Sequence, residues 1–256
     1  METHVTVATI NIHGRKDRWP ERRHLLVAQL IESDADLISM QEINTSIRQA
    51  AWLCKQINVR LSGSERTPYR LVQKHSRRVM RGSSGAIGVL SRLPVLYNES
   101  INLGNGGRIA LRAHVELPSH QTMDFVTTQL QQVPYEKEAR HDQAMKLMAW
   151  LYGHKRVPIQ VVAGDMKETP DGLAVNHIKQ SFRSAYETVY GREPLATYPT
   201  ALTGPVPGLA CTHDYIFVSM AVHHVTTAKI FCDESASDDN MLYPSDHVGL
   251  LATLQV

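Results

Sequence analysis

Acidic, amide and imidazole side chains stand in this sequence where apolar, strand-like segments begin or end. The most informative segment covers residues 243–247, in which a Pro-Ser turn is followed by adjacent Asp and His residues. Such a pair can hold a metal ion and donate a hydrogen bond to a phosphate oxygen. Five groups share this placement, namely Asn11, Glu42, Asp165, Asp214 and the pair Asp246 and His247. Loops at strand ends converge in α/β proteins, and carboxylate oxygens suit Mg²⁺ or Mn²⁺ better than Zn²⁺, so this placement predicts a site for a hard cation.

Apolar segments rich in β-branched residues would position these groups. They cover residues 5–12, 36–40, 85–91, 109–117, 123–130, 158–163, 215–219 and 248–254. Helical spacing of apolar residues appears between them, over residues 19–31, 45–57 and 136–152. Strands that alternate with helices, together with a hairpin around residues 118–120, predict a mixed α/β sandwich.

The composition predicts a compact protein of a reducing compartment. The chain has 256 residues with no linker or repeat, so we expect a single domain over residues 1–256. Apolar residues make up 43%, which is enough for a sizeable core. Three cysteines without metal-finger spacing, no apolar run of membrane-spanning length and a strand-like N-terminus favour a soluble cytoplasmic protein, which we expect to be a monomer.

The charge pattern permits a nucleic-acid partner without requiring one. The formal net charge is +2, and basic residues cluster at positions 15–23 and 74–81. Either cluster by itself is better explained as a solvated loop. If the second loop faces the site, Arg81 could bind a substrate phosphate, and Arg108, which follows a Gly-rich segment, is a second candidate.

Seven short motifs in order resemble the endonuclease/exonuclease/phosphatase superfamily. They are Thr9-Ile10-Asn11-Ile12, Gln41-Glu42, residues 85–94, residues 127–130, Gly164-Asp165, residues 214–217 and Ser245-Asp246-His247. Together they span nearly the whole chain. The resemblance implies a deoxyribonuclease-like fold, which is a four-layer sandwich of two mixed β-sheets packed face to face and flanked by helices.

The resemblance also implies a reaction and a role for each residue. The reaction is hydrolysis of a phosphoester with the help of a divalent metal ion, which would be Mg²⁺ with Mn²⁺ as the alternative. An aspartate activates the attacking water. Glu42 would be the principal metal ligand, with Asn11 and Asp246 nearby. Asp165 would orient or deprotonate the water, and His247, held by Asp214, would contact the scissile phosphate.

Two positions depart from the family pattern. The family has Thr-His-Leu where this chain has Thr128-Gln129-Leu130, and Gly-Asp-x-Asn where this chain has Gly164-Asp165-Met166-Lys167. The Gln129 amide cannot carry the positive charge of an imidazole. The Lys167 ammonium would lower the pKa of Asp165, and it could clamp a phosphate oxygen or repel a second metal.

These departures leave two functions open. The first is a divalent-metal-dependent phosphodiesterase or nuclease-like hydrolase, with Asn11, Asp165, Asp214, His247, Gln129 and Lys167 in catalysis. The second is a weakened or inactive family member that binds a phosphorylated ligand or partner. No extended basic, aromatic-rich face points to single-stranded nucleic acid. The substrate class stays open among DNA, RNA, a nucleotide derivative and a lipid headgroup.

Overall fold

Two six-stranded β-sheets pack face to face, with helices on their outer sides. The computed structural model describes residues 3–76, 85–133, 135–204 and 210–256. The strands are β1 (His4–Asn11), β2 (Leu37–Asn44), β3 (Arg70–His75), β4 (Gly85–Ser91), β5 (Val95–Gly104), β6 (Arg108–Glu116), β7 (Thr122–Gln129), β8 (Ile159–Asp165), β9 (Phe182–Ser184), β10 (Asp214–Ser219), β11 (His224–Phe231) and β12 (Gly249–Gln255). The helices are α1 (Trp19–Glu32), α2 (Gln49–Leu61), α3 (Lys137–Gly153), α4 (Leu173–Lys179) and α5 (Ala185–Tyr190). The predicted four-layer sandwich is therefore confirmed.

The two sheets repeat one pattern of strand directions. The first has the order β11-β12-β1-β2-β4-β3 and the second the order β5-β6-β7-β8-β10-β9. In each sheet the two central strands are parallel, β1 with β2 and β7 with β8, and the flanking pairs are antiparallel. The carboxyl ends of both parallel pairs lie at the same end of the sandwich, because side chains from all four strand ends meet there.

The apolar core fills the three spaces between the four layers. Apolar side chains of both sheets, including Val7, Leu37, Phe125, Val161 and Ile216, fill the space between the sheets. A second group lies between the first sheet and the helices α1 and α2, and a third between the second sheet and the helices α3 and α4. Burial of apolar area on both faces of each sheet fits the nearly continuous apolar sequence of β8.

Elements rich in exposed polar residues are absent from the sequence-based prediction. Strand β11 reads His-Val-Thr-Thr-Ala-Lys-Ile-Phe and is mostly exposed, so it lacks the clear alternation that reveals a strand. The edge strand β3 and the strand β5 are likewise largely exposed, and the helices α4 and α5 have only seven and six residues. Within the described part of the chain, no helix is both long and apolar enough to cross a bilayer.

Candidate active site

The acids predicted to act together come from both sheets. Asn11 ends β1 and lies beside Gln41, the neighbour of Glu42, in the parallel pair of the first sheet. Gln129 ends β7 and pairs with Asp165 at the end of β8 in the second sheet. Asn11 Nδ2 donates to Glu42 Oε1 at 3.1 Å and to Asp165 Oδ2 at 2.8 Å, so one amide bridges the two sheets.

Glu42 owes its direction to a break in its strand. The pairing of β2 with β4 shifts between Met40 and Ile43, and Glu42 has a left-handed φ of 56°. A bulge of this kind redirects a side chain and is common beside active sites. The Glu42 side chain is 17% exposed, and its Oε2 lies 3.3 Å from Lys16 Nζ. Burial raises the pKa of Glu42, but Lys167 and Lys16 together bring this pKa down to about 2, so the carboxylate is charged at neutral pH.

Asp165 is fully buried and depends on the glycine before it. A Cβ on Gly164 would lie 2.0 Å from the Thr128 carbonyl oxygen, so only glycine lets β8 approach β7 this closely. Burial raises the pKa of Asp165, but the positive charges of Lys167 and His247 pull it well below its usual range. The Asp165 carboxylate therefore stays ionised beside Glu42.

Asp214 and His247 form a buried pair. His247 Nδ1 lies 2.7 Å from Asp214 Oδ2, and His247 Nε2 lies 3.9 Å from Asp165 Oδ2. Burial lowers the pKa of His247, but the Asp214 carboxylate outweighs it and raises this pKa above its ordinary value. The Thr197 hydroxyl accepts hydrogen bonds from the backbone N–H groups of His213 and Asp214, which fixes the start of β10.

Lys167 projects into the centre of the site. Its Nζ lies 2.7 Å from Asp165 Oδ2, 3.4 Å from His247 Nε2 and 3.9 Å from Glu42 Oε1. Burial lowers the pKa of Lys167, but the charges of Asp165 and Glu42 raise it well above its usual range. The ammonium is thus permanently charged, and it lies among the acids rather than at the surface.

Asp246 is held by His13, a histidine that is not among the sequence-predicted site residues. His13 Nδ1 lies 2.8 Å from Asp246 Oδ2, and His13 Nε2 lies 2.5 Å from Asp17 Oδ2. Burial raises the pKa of Asp246, but the hydrogen bond from His13 and the charge of His247 lower it overall. The only sequence signal for this contact is that His13 follows Asn11 by two positions.

Arg22 fastens the loop after β1 to the segment that carries Asp246 and His247. Sequence reasoning grouped Arg22 with solvated basic residues, but the side chain is fully buried. Its guanidinium donates to the carbonyl oxygens of Ile12 at 3.1 Å, Gly14 at 2.8 Å and Pro244 at 2.9 Å. The Ser245 hydroxyl donates to the Asn11 carbonyl at 2.6 Å and adds a second tie.

A buried polar layer supports the site from within the sandwich. Gln41 Nε2 donates to Ser39 Oγ at 2.7 Å, and Ser39 Oγ lies 2.6 Å from Thr127 Oγ1 in the other sheet. All three side chains are fully buried. Since buried polar groups need partners, these contacts favour one relative position of the two sheets. Isolated Ser, Gln and Thr residues inside strands gave no sequence signal for this layer.

The Gln129 side chain links Glu42 and Asp165 to Arg108 by hydrogen bonds. Its Nε2 donates to Glu42 Oε1 at 2.9 Å and to Asp165 Oδ2 at 3.2 Å, while its Oε1 accepts from Arg108 Nη1 at 2.7 Å. Arg108 therefore holds a guanidinium against the side chain that stands where the family has a histidine. Arg81, the other candidate for phosphate binding, lies outside the described residues.

Two clefts flank the cluster of acids. One, of about 300 Å³, is lined by Lys16, Glu42, Asn44, Arg108 and Gln129 among others. The other, of about 520 Å³, is lined by Lys137, Lys167, Leu173 and His213 among others. Gln132 borders both clefts. Glu42 therefore faces one cleft and Lys167 faces the other.

Glu42 and Asp246, the predicted metal ligands, have the donor chemistry that a hard divalent cation needs. Both offer carboxylate oxygens, the ligands that Mg²⁺ and Mn²⁺ prefer. The predicted third ligand, Asn11, directs its NH₂ to the two acids, and its Oδ1 accepts the His13 N–H at 3.0 Å. Glu42, Asp246 and Asn11 as metal ligands stay predictions, and so do the catalytic roles assigned from the sequence.

The fold and this arrangement of side chains define a class of protein. The family model described as "Endonuclease/Exonuclease/phosphatase family" matches residues 8–247, and the chain belongs to that family. The resemblance inferred from the motifs is thereby confirmed.

Solved structures agree with this assignment. An endonuclease/exonuclease/phosphatase from Bacteroides vulgatus is 20% identical, with a TM-score of 0.76 over 99% of both chains. D. rerio TDP2 complexed with a single-strand DNA product is 18% identical, with a TM-score of 0.79 over 99% of both chains. The human Nocturnin catalytic domain with a bound sulfate anion is 17% identical, with a TM-score of 0.75 over 99% of this chain and 94% of that chain. At these identities the likeness shows the fold, and no curated protein sequence matches the chain.

Proposed function

We propose that this protein is a divalent-metal-dependent phosphodiesterase that acts on a nucleic acid or nucleotide. The observation that carries the proposal is the convergence of Glu42, Asp165 and His247 from separate parts of the chain at one centre, where Glu42 lines a cleft. A divalent ion bound there would neutralise charge on the phosphoryl oxygens and the leaving oxygen. The intact contacts among these acids favour a hydrolase over an inactive binding protein.

The chain's own residues have distinct tasks in this proposal. Asp165, ionised and fully buried, accepts a proton from the attacking water. His247, protonated on both ring nitrogens, donates a hydrogen bond from Nε2 to a phosphate oxygen, while Asp214 accepts from Nδ1 and orients the ring. Asn11 and Gln129 hold Glu42 and Asp165 at a set separation, so that neither acid must reorganise during the reaction.

The two clefts support a diester substrate. A phosphate at the centre of the cluster would have room for a substituent on each side, and a monoester would fill only one. Arg108 and Lys16 on one side and Lys137 on the other offer charge to neighbouring phosphates. The DNA product in the similar D. rerio TDP2 structure makes nucleic acid the first class to test.

Hydrolysis of a generic diester tests the reaction. Purified protein is incubated with bis(p-nitrophenyl) phosphate and Mg²⁺ or Mn²⁺, beside Glu42→Gln and, as a matched control, Glu116→Gln, whose side chain is 36% exposed. We expect Glu42→Gln to lose at least about 10²–10³ in kcat/KM and Glu116→Gln to keep the wild-type value. Equal rates for wild type and Glu42→Gln would contradict the proposal.

A second assay tests the substrate class. Short single-stranded DNA and RNA are compared with p-nitrophenyl phosphate, a monoester, under the same conditions. We expect the oligonucleotides to be cleaved with the higher kcat/KM. A preference for the monoester would replace phosphodiesterase with phosphatase in the proposal.

A further inference from the structure

The cluster of Asp165, Asp214 and His247 has the geometry of a cation site of its own. One ligand atom from each residue lies within 4.8 Å of the other two, and all three residues are buried. The Lys167 ammonium contacts two of the three, at 2.7 Å from Asp165 Oδ2 and 3.4 Å from His247 Nε2. The Lys167 ammonium therefore places a positive charge against two of the three groups that would ligate a cation in this cluster.

The backbone and its surroundings hold the ammonium in this place. Lys167 has a left-handed φ of 52°, which is uncommon for a residue with a Cβ, and its backbone N–H donates to Asp165 Oδ1 at 3.0 Å. The side chain is 9% exposed and its Nζ lies 5.7 Å from the centre of the Tyr198 ring. A lysine that only neutralised Asp165 would need neither the left-handed backbone of Lys167 nor the contact with the Tyr198 ring.

We infer that Lys167 is a built-in cation that takes the place of a second metal ion, so that the active site holds one divalent ion. The inference rests on the proposed function, because it assumes that the first ion binds at Glu42 and Asp246. The reason is electrostatic. A divalent ion among Asp165, Asp214 and His247 would stand against a fixed ammonium in a buried place, where water screens little. Lys167 then supplies its positive charge to the phosphoryl group without the need to bind an ion from solution.

Lys16 provides a matched comparison for this inference. Its Nζ lies 3.3 Å from Glu42 Oε2, nearer to Glu42 than Lys167 Nζ at 3.9 Å, but its side chain is 62% exposed. Both lysines bring one positive charge to the same carboxylate. Of the two lysines, Lys167 contacts the cluster of Asp165, Asp214 and His247. The pair therefore separates two influences on the number of bound ions, namely the position of the ammonium and the charge alone.

The experiment counts bound Mn²⁺ by isothermal titration calorimetry and by electron paramagnetic resonance, with no substrate present. The proteins are wild type, Lys167→Met, Lys167→Arg, Lys16→Met and Glu42→Gln, each checked for folding by circular dichroism. We expect one ion per chain for wild type, Lys167→Arg and Lys16→Met, and two for Lys167→Met. Glu42→Gln should lose the single ion or bind it at least about tenfold more weakly.

The outcomes distinguish the two proposals. Two ions in the wild type would overturn this inference and leave the proposed function intact, and that result needs no variant to fold. One ion in a folded Lys167→Met, or a second ion in Lys16→Met as well, would also overturn it. No ion in the wild type would overturn both proposals.

Discussion

Two clusters of polar and charged side chains differ in backbone geometry and in access from solvent. The proposed catalytic cluster (Asn11, Glu42, Asp165, Lys167 and His247) lies at or near strand ends of both sheets. The α3 cluster (Glu99, Arg112, His114, Asp124 and His154) lies on regular strands and at the end of α3. Arg112 contacts Asp124 at 2.7 Å and Glu99 at 2.5 Å, and His114 Nδ1 lies 2.7 Å from Asp124 Oδ1.

The contrast shows which features set the proposed catalytic cluster apart from the α3 cluster. In the α3 cluster, Glu99 pairs with Arg112 and Asp124 with His114 in ordinary antiparallel register. In the catalytic cluster, Glu42 and Lys167 have left-handed backbones, and both line clefts. Burial of charge alone therefore does not indicate function. Burial combined with backbone strain and access from solvent does.

Removal of the proposed base gives the largest expected effect. Asp165→Asn keeps the shape of the side chain but cannot accept a proton, so kcat should fall by about 10²–10⁴. The assay is diester hydrolysis at saturating Mg²⁺. Asp124→Asn, the equivalent change in the α3 cluster, should keep kcat within about twofold. Similar losses in both variants would remove the distinction between the clusters.

Stability should show the opposite order. Asp124→Asn leaves Arg112 without its fully buried partner, which typically costs about 3–5 kcal/mol of unfolding free energy. Asp165→Asn should cost less, because it also removes the repulsion between the Asp165 and Glu42 carboxylates, whose oxygens share the amides of Asn11 and Gln129. Urea unfolding followed by circular dichroism measures both values. A larger loss for Asp165→Asn would contradict the structural role of the α3 cluster.

The pH profile tests how Asp214 controls His247. Asp214 raises the pKa of His247 against the effect of burial, so the imidazole stays protonated to a higher pH than it otherwise would. Activity that needs the protonated form should therefore fall as the pH rises through this pKa. In Asp214→Asn the fall should begin at lower pH, and kcat on the alkaline side should drop by about 10–100-fold. An unchanged alkaline limb would exclude this role.

The smallest effect concerns stability in acid. The pKa of Glu42 is about 2 in the folded protein against an ordinary value of 4.5, so its contribution to stability is present above pH 4.5 and lost as the pH falls to about 2. Glu42→Gln should show a shallower decline in unfolding free energy over this range, by about 1–2 kcal/mol after screening. Parallel curves for wild type and variant would refute this.

The sequence predicted which acidic and imidazole side chains lie together, but it did not predict the buried side chains that hold them in place. Asp165, Asp214 and His247 lie at or next to the ends of buried strands whose apolar pattern is plain, so their positions could be inferred. Arg22 could not, because its burial depends on carbonyl groups of two distant loops that the linear sequence does not bring together. The left-handed backbone of Glu42 follows from a register shift against β4, which is a tertiary event.

The bridging of the two sheets by Asn11 has a consequence for how activity arises during folding. Each sheet contributes only part of the centre, with Glu42 from one and Asp165 from the other. A partly folded chain with either sheet alone would contain native strands but no competent set of acids. Recovery of hydrolysis after dilution from denaturant therefore reports the docking of the two sheets, and it cannot precede that step however early the individual strands form.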